Sequence, residues 1–321
     1  MMRPIRIRRP ALAVAALLAA AGCRVQDAPA DQASAGTEAA ADAAACAVVE
    51  KGLTLTDGLE ESSGLVESRT RPGVYWTHND SGHGADLFPI EIDGRQLGRV
   101  RVEGATNRDW EDIAVGRCPA GAGDCLYIAD TGDNAPGGGG KGKGKGEPFT
   151  VRLAVVPEPG PAARTAHARE YQAVVPGKRT DIEALAMLPD GRIYLVSKGI
   201  GGEVELFRWP TPLRGGAPVS LERVRALAPE AAQLGDRVTG ASATPDGRWV
   251  AVRTYAGLAF YRTADLLGSG GPVAQLDLEP LGESQGEAVS LSDDGTVVLT
   301  SEGPGHHLPG TIARPRCALP R

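Results

Sequence analysis

The feature that most constrains the fold of this chain is an internal repeat. Five short segments, each entered by a small or acidic residue, recur at intervals of 50, 72, 57 and 47 residues. They are Glu61-Ser-Ser-Gly-Leu, Glu111-Asp-Ile-Ala-Val, Glu183-Ala-Leu-Ala-Met, Gly240-Ala-Ser-Ala-Thr and Glu287-Ala-Val-Ser-Leu. The longest interval contains a glycine- and lysine-rich insert at 135–148, which offers almost no side chains for a core. Without it the period is about 50 to 57 residues, which is typical of propellers.

Each repeat predicts a set of antiparallel β-strands. Pro-Asp-Gly or Asp-Asp-Gly turns follow the first strand at 189–191, 245–247 and 293–295, and such turns are strong hairpin signals. A second β-like run follows each turn, and third and fourth runs follow in most repeats. Four strands recurring at this period predict an all-β, five-bladed propeller. Six blades are the alternative if the long second repeat contains a further blade.

The cysteines fit a closed ring. The fifth repeat ends one strand short, and the run that begins at Cys46 supplies a strand in the register of the missing one. A Cys46–Cys317 disulfide would then fasten the ring, and Cys118 and Cys125 flank a short loop that a second disulfide could bridge. Five cysteines leave one over from any pairing, and Cys23 is that one.

The N-terminal region predicts export. Residues 1–22 combine a cationic start with an apolar run that is too short to span a bilayer, as in a signal peptide. Ala20-Ala21-Gly22-Cys23 resembles the bacterial lipobox, which implies lipidation at Cys23, and Arg24 after it implies the outer membrane. The alternative is an ordinary signal peptide cut nearby. Residues 23–45 are rich in alanine without apolar periodicity and predict a flexible tether, so the propeller domain is 46–321.

Net charge limits the partners. The formal charge is −6, and removal of the signal peptide takes away four arginines and makes the mature chain more acidic. This balance argues against a nucleic-acid partner, whose phosphates need a basic surface. We expect a monomer that contacts the membrane through its lipid anchor and binds an unknown small molecule or protein.

Several short motifs carry a family resemblance. ESSGL, THNDSG, DWEDIA, YIADTGDN, DIEALAM, TGASAT, GEAVSL and SEG resemble exported bacterial propellers of the SdiA-regulated and esterase-like-phytase group, over about 46–317. The architecture is also similar to five-bladed calcium apyrases, in which one Glu or Ser from each blade lines the tunnel and holds Ca²⁺. The residues that match this pattern are Glu111, Glu183 and Glu287, with Glu61 or Ser63 in the first blade and Ser242 in the fourth.

Electrostatics points to the same place without the resemblance. The first strand of each propeller blade lines the axis, so carboxylates at the strand starts would converge and repel one another. A hard cation with six to eight oxygen ligands, such as Ca²⁺, would neutralise them. The alternative is that these glutamates accept hydrogen bonds from backbone amides or pair with Arg237 and Arg253.

The second strand of each blade ends beside the start of the first, so its last residues share that face. The predicted ligand-binding face consists of His78, Asn79, Asp80, Asp130, Asp133, Lys198, Arg253, Tyr255 and Glu302. The sequence contains no Walker or HExxH motif. We therefore favour a tethered binding module with Ca²⁺ in its tunnel. The alternative is a calcium-dependent phosphoester hydrolase, phytase-like or apyrase-like, in which Lys198 and Arg253 accept the phosphate.

Overall fold

The computed structural model describes residues 46–319 except 57, 134–148, 178 and 306. This part of the chain is nearly all β and forms five antiparallel blades of a β-propeller. The predicted all-β propeller is therefore confirmed, with five blades and not six. The predicted signal peptide, the tether with Cys23 and the whole insert at 135–148 lie outside the described residues.

The chain enters the fold through β1 (Cys46–Thr54), which belongs to the last blade, and then builds blade one. The four strands of blade one follow in chain order from the inside outwards. They are β2 (Ser62–Glu67), β3 (Val74–Asn79), β4 (Asp86–Glu91) and β5 (Val100–Glu103).

Blade two gives one short strand to its neighbour. Its own strands are β6 (Trp110–Arg117), β7 (Asp124–Asp130), β8 (Thr150–Pro157) and, after an excursion, β10 (Arg169–Val174). The excursion contains β9 (Thr165–His167), which pairs in parallel with β5 and thereby covers the outer edge of blade one.

Blade three repeats this device. It contains β11 (Ile182–Met187), β12 (Ile193–Ser197), β13 (Val204–Trp209) and, beyond the next short strand, β15 (Glu222–Ala228). The short strand β14 (Val219–Ser220) pairs in parallel with β10 of blade two.

Blade four carries the helical segments of the described chain. Its strands are β16 (Val238–Ala243), β17 (Trp249–Thr254), β18 (Gly257–Arg262) and β19 (Ala274–Asp277). Helix α1 (Thr263–Leu267) lies between β18 and β19, and 3-10 turns at Leu234–Asp236 and Glu279–Leu281 flank the blade. None of these described segments has the length and apolar character of a membrane-spanning helix.

Blade five closes the ring as predicted. It consists of β20 (Gln285–Leu291), β21 (Val297–Glu302) and β22 (Thr311–Cys317), with β1 as its outermost strand. The strands β1 and β22 are antiparallel, and Cys46 lies opposite Cys317, to which it is bonded. Cys118 and Cys125 form the second predicted disulfide. Such disulfides are typical of exported proteins.

The hydrophobic core lies between the blades. Each of five apolar clusters is formed by two adjoining blades, so no blade buries both of its faces by itself. Trp76 of blade one and Trp110 of blade two are both fully buried in one such cluster. Burying a large apolar side chain contributes about 1.5 to 3 kcal/mol to stability. Because each cluster needs two adjoining blades, the ring gains this stabilisation and a single blade does not. The five inner strands contact one another in sequence around the axis.

Candidate functional site

A β-bulge occurs near the start of every inner strand. In all five blades the pairing with the second strand shifts by one residue, so one extra residue is inserted at the same level of the channel. We call these residues the bulge ring: Ser63, Glu111, Glu183, Thr239 and Glu287. All five are at least nine-tenths buried. Three of them are the glutamates that the sequence predicted.

Two further rings of equivalent positions complete this end of the channel. The entry ring lies two residues before each bulge and consists of Glu61, Asp109, Asp181, Arg237 and Gln285. The return ring lies at the ends of the second strands and consists of Asp80, Thr131, Lys198, Tyr255 and Glu302. Backbone hydrogen bonds join the two rings in four blades, for example from Lys198 N to Asp181 O at 2.9 Å. We call the three rings together the acidic mouth, because the bulge and entry rings each carry three carboxyl groups and the return ring carries two.

The bulges assign the predicted metal-binding residues differently in two blades. In blade one the bulge residue is Ser63, whose Oγ donates to Glu111 O at 2.8 Å, whereas Glu61 belongs to the entry ring. In blade four it is Thr239, a residue that the sequence prediction missed. Ser242 lies farther along β16, where its Oγ accepts a hydrogen bond from Leu291 N at 3.0 Å. Ser242 is therefore separate from the acidic mouth, because it lies three residues beyond Thr239 along β16.

Burial raises the pKa of several carboxyl groups in the acidic mouth. Burial and the neighbouring Glu183 raise the pKa of Glu111 well above its usual range. Burial also raises the pKa of Glu287 to about 7, and the Tyr255 hydroxyl donates to that carboxylate at 3.2 Å. Burial, together with Glu287, raises the pKa of Glu302 to about 8, and burial with Asp109 raises that of Asp80 to about 7. The mouth therefore favours any bound cation that can replace these protons.

Glu111 belongs to two groups of three carboxylates. The first carboxylate group is Asp80, Asp109 and Glu111, and the second is Glu111, Asp181 and Glu183. Within each group the oxygen atoms lie within 4.8 Å of one another. The Oε1 atom of Glu111 is buried and has no hydrogen-bond partner among the described residues. A buried acceptor without a donor is costly, so Glu111 is well placed to ligate a cation.

Lys198 occupies the second carboxylate group. Its Nζ donates to Glu183 Oε1 at 2.8 Å and lies 3.9 Å from Asp181 Oδ2. These two carboxylates raise the pKa of Lys198 against the opposing effect of burial, so the ammonium stays charged. One of the two groups thus already contains a positive charge.

The turn after β7 supports the first carboxylate group from the side. An added methyl group at Gly132 would overlap the carboxylate oxygens of Glu111 and Asp109, so only glycine allows this close approach. Asp130 accepts hydrogen bonds from Asp109 N and from Arg108, each at 2.9 Å. Asp133 pairs with Arg179. Both predicted aspartates therefore position the turn and lie outside the two carboxylate groups.

Three other predicted residues have internal partners. The His78 ring is fully buried and meets Trp110 edge-on, with ring centroids 5.5 Å apart. Asn79 donates to Gly58 O at 2.8 Å and accepts from Glu61 N at 3.2 Å. Arg253 was predicted on the open face, but its fully buried guanidinium donates to Ala288 O, Thr300 O and Glu283. These side chains hold the blades together below the mouth.

A buried carboxylate lies below the bulge ring. Asp112 accepts hydrogen bonds from Ile113 N, Leu185 N and Ala241 N at 2.8, 2.7 and 3.1 Å, which belong to blades two, three and four. The equivalent positions in the other blades hold Gly64, Ala184, Gly240 and Ala288. Farther along the inner strands, residues such as Leu185, Met187 and Ser242 line a cavity of about 250 Å³. Along the inner strands, the level of Asp112 therefore lies between this cavity and the acidic mouth.

Comparisons with known proteins bear on the fold. No family model and no curated protein matches the chain. The chain is similar to a PQQ-bound aldose sugar dehydrogenase from Streptomyces coelicolor, at 12% identity over 85% of this chain and 98% of that one, with a TM-score of 0.51. It also matches a gluconolactonase from Xanthomonas campestris (12% identity, 85% and 96% covered, TM-score 0.44) and a virginiamycin B lyase from Staphylococcus aureus (10%, 81% and 68%, TM-score 0.38). The fold and the site together define a five-bladed β-propeller with an acidic channel mouth.

Proposed function

We propose that the acidic mouth binds one Ca²⁺ ion and that, through this ion, the propeller binds an oxygen-bearing ligand on the same face. The observation that carries the proposal is the buried, unpartnered Oε1 of Glu111 among converging carboxylates. We place the ion in the first carboxylate group, because Lys198 already occupies the second. Carboxylate oxygens are the ligands that Ca²⁺ prefers.

A bound Ca²⁺ ion would offer coordination positions to a ligand at the acidic mouth. Three carboxylates leave part of a shell of six to eight oxygens for other donors, among them oxygens of a ligand. The hydroxyl of Tyr255 and the carboxyl group of Glu302 lie in the return ring and would contact such a ligand. The proposal shares Glu111 with the ligand set that the sequence resemblance to calcium apyrases implies, but it places Asp80 and Asp109 where that set has Glu183 and Glu287.

The contacts of Arg253 and Lys198, the two residues expected to bind phosphate, favour ligand binding over phosphoester hydrolysis. Arg253 is buried and bonded to Ala288, Thr300 and Glu283, and Lys198 is bonded to Glu183. The remaining acidic side chains of the mouth would repel a phosphate. A calcium-dependent hydrolase is the second candidate. Turnover of generic phosphoesters that requires calcium and is lost in Glu111→Gln would select it over a binding module.

Calcium titration of the mature protein after chelator treatment tests the proposed site. The wild type should bind calcium, and its melting temperature should rise, since 100-fold excess over Kd contributes about 2.7 kcal/mol. Glu111→Gln should weaken binding at least about tenfold, because it removes a charged ligand. The matched control is Glu222→Gln, which changes an exposed glutamate on β15 that pairs with Arg208. A wild type that binds no calcium, or a Glu111→Gln protein that binds it equally well, would refute the site.

We further propose that the protein is an outer-membrane lipoprotein attached through Cys23. The support is the lipobox-like sequence before Cys23 and the disulfide-bonded propeller that follows it. Cys23→Ala should move the protein from the membrane fraction to the periplasm, because it removes the site of the lipid. Unchanged membrane association of that variant would exclude this anchor.

A further inference from the structure

The two carboxylate groups of the acidic mouth are alike in chemistry but differ in what they hold. Each contains Glu111 and two further acids, one of which belongs to the entry ring: Asp109 in the first group and Asp181 in the second. The third member differs, since Asp80 comes from the return ring and Glu183 from the bulge ring. At the return-ring position of blade three stands Lys198, and its ammonium is bonded within the second group.

We propose that Lys198 is a built-in cation that takes the place of a second metal ion and so limits the acidic mouth to one Ca²⁺. This inference rests on the proposed function. Two metal ions about 3.5 to 4 Å apart are commonly bridged by a shared ligand, and Glu111 is shared by the two groups. Its two carboxylate oxygens would serve Ca²⁺ on one side while the Lys198 side of the mouth keeps its own positive charge.

The fold holds the Lys198 ammonium in place. Its backbone N donates to Asp181 O at 2.9 Å, and its carbonyl accepts from Val238 N at 3.2 Å, so the residue is fixed between blades three and four. The side chain is 15% exposed, which leaves little room for another orientation. A compact ammonium is a point charge and therefore a closer substitute for a metal ion than a planar guanidinium.

Removal of this charge should create a second calcium site. Lys198→Met keeps the apolar stem but leaves Glu183 and Asp181 without their cation beside Glu111. Equilibrium dialysis of the mature protein against calcium alone should then give one ion per wild-type chain and two per Lys198→Met chain. The double variant Lys198→Met with Glu183→Gln should return to one, because the second group has lost a ligand.

A matched control separates this effect from general charge. Arg179→Gln removes a positive charge from the same face, where Arg179 pairs with Asp133, and leaves Lys198 in place. It should bind one calcium ion. If it binds two, bulk electrostatic attraction accounts for the second ion and the inference is overturned.

The remaining outcomes distinguish the inference from the proposed function. No calcium on the wild type would refute both, whereas two ions on the wild type would refute only the role of Lys198. One ion on the wild type and one or none on Lys198→Met would likewise overturn the inference and leave the proposed function standing. Should Lys198→Met fail to fold, Lys198→Gln provides the same measurement with a polar replacement, and one ion on that variant is again the contradicting result.

Discussion

Asp112 is a single carboxylate that joins three blades at the axis. It is fully buried, and its carboxylate oxygens accept hydrogen bonds from backbone N–H groups of β6, β11 and β16. Burial raises its pKa, while the three N–H donors favour the ionised form. The small residues at this level in the other four blades leave room for one such side chain. We therefore regard Asp112 as a structural residue of the ring rather than a ligand of the mouth.

Substitution of Asp112 should be among the more damaging changes in the chain. Asp112→Ala leaves three buried N–H groups without an acceptor, and each unsatisfied group costs about 1 to 3 kcal/mol. We expect the free energy of unfolding to fall by at least about 3 kcal/mol, and by less in Asp112→Asn, which keeps one acceptor oxygen. Urea unfolding measures both variants. A loss below about 0.5 kcal/mol for Asp112→Ala would contradict this role.

Gly132 provides a second test at the residue scale. Gly132→Ala should weaken calcium binding at least about tenfold, because the new methyl group must displace the carboxylates of Glu111 and Asp109. Gly160→Ala is the control, since nothing lies within 4 Å of the methyl group it would add. Calcium titration of the two variants compares them directly. Equal affinities would show that the ion lies elsewhere.

Residue-level prediction was limited by the bulges. The sequence predicted Glu111, Glu183 and Glu287 because all three are acids at corresponding strand starts. It could not choose between Glu61 and Ser63, and it selected Ser242 where the bulge places Thr239, because the position of a bulge is set by pairing with the neighbouring strand and not by the composition of one strand. Two signals were nevertheless present: the Asp-x-Glu spacing at 109–111 and 181–183, and an acid at 112 where the aligned repeats have serine or alanine.

At the scale of the element, the strands were predictable and the exchanged edge strands were not. Apolar runs and Asp-Gly turns specify the strands of each blade locally. By contrast, β9 and β14 contain only three and two residues and pair in parallel with a neighbouring blade. Their formation depends on the tertiary position of a sheet edge, which no local pattern encodes. These strands cover edges that would otherwise expose unpaired backbone groups.

The two disulfides should differ in their contribution to stability. Cys46–Cys317 links residues 271 apart, whereas Cys118–Cys125 links residues 7 apart. Loop-closure entropy predicts that Cys46→Ser with Cys317→Ser costs up to about 5 kcal/mol, and that Cys118→Ser with Cys125→Ser costs roughly 2 kcal/mol. Thermal and urea unfolding of the two double variants provides the comparison. The reverse order would show that β1 is held to β22 without help from the disulfide.

At the scale of the whole molecule, the acidic mouth predicts how stability depends on pH. A carboxyl group whose pKa is raised on folding contributes stability below its unfolded pKa, and this contribution is lost as pH rises through the folded pKa. Burial raises these values to about 7 for Asp80 and Glu287 and to about 8 for Glu302. Calcium-free protein should therefore lose stability progressively from about pH 4.5 to about pH 8, and the interval to measure is the upper part of it, from about pH 6.5 to about pH 8. Calcium should offset that loss because it replaces the protons.

Melting temperatures across this interval, with calcium and with chelator, test the dependence. This interval lies above the pH range in which His78 affects stability. Burial lowers the pKa of His78 to about 4, so this residue reduces stability only as pH falls below about 6.5. Glu111→Gln should show a smaller difference between calcium and chelator than the wild type at the alkaline end. A melting temperature that rises with pH in chelator would contradict the prediction.

The pairing of β1 with β22 also sets the order in which this fold can be completed. The Cα atoms of Cys46 and Cys317 lie 4.0 Å apart, so the two ends of the propeller are side by side on the outer edge of blade five. A circular permutant opened between two other blades would keep every strand pair of the ring. In the natural order, however, β1 is synthesised first and its partner β22 is synthesised last. The propeller therefore closes only after its final strand has been synthesised.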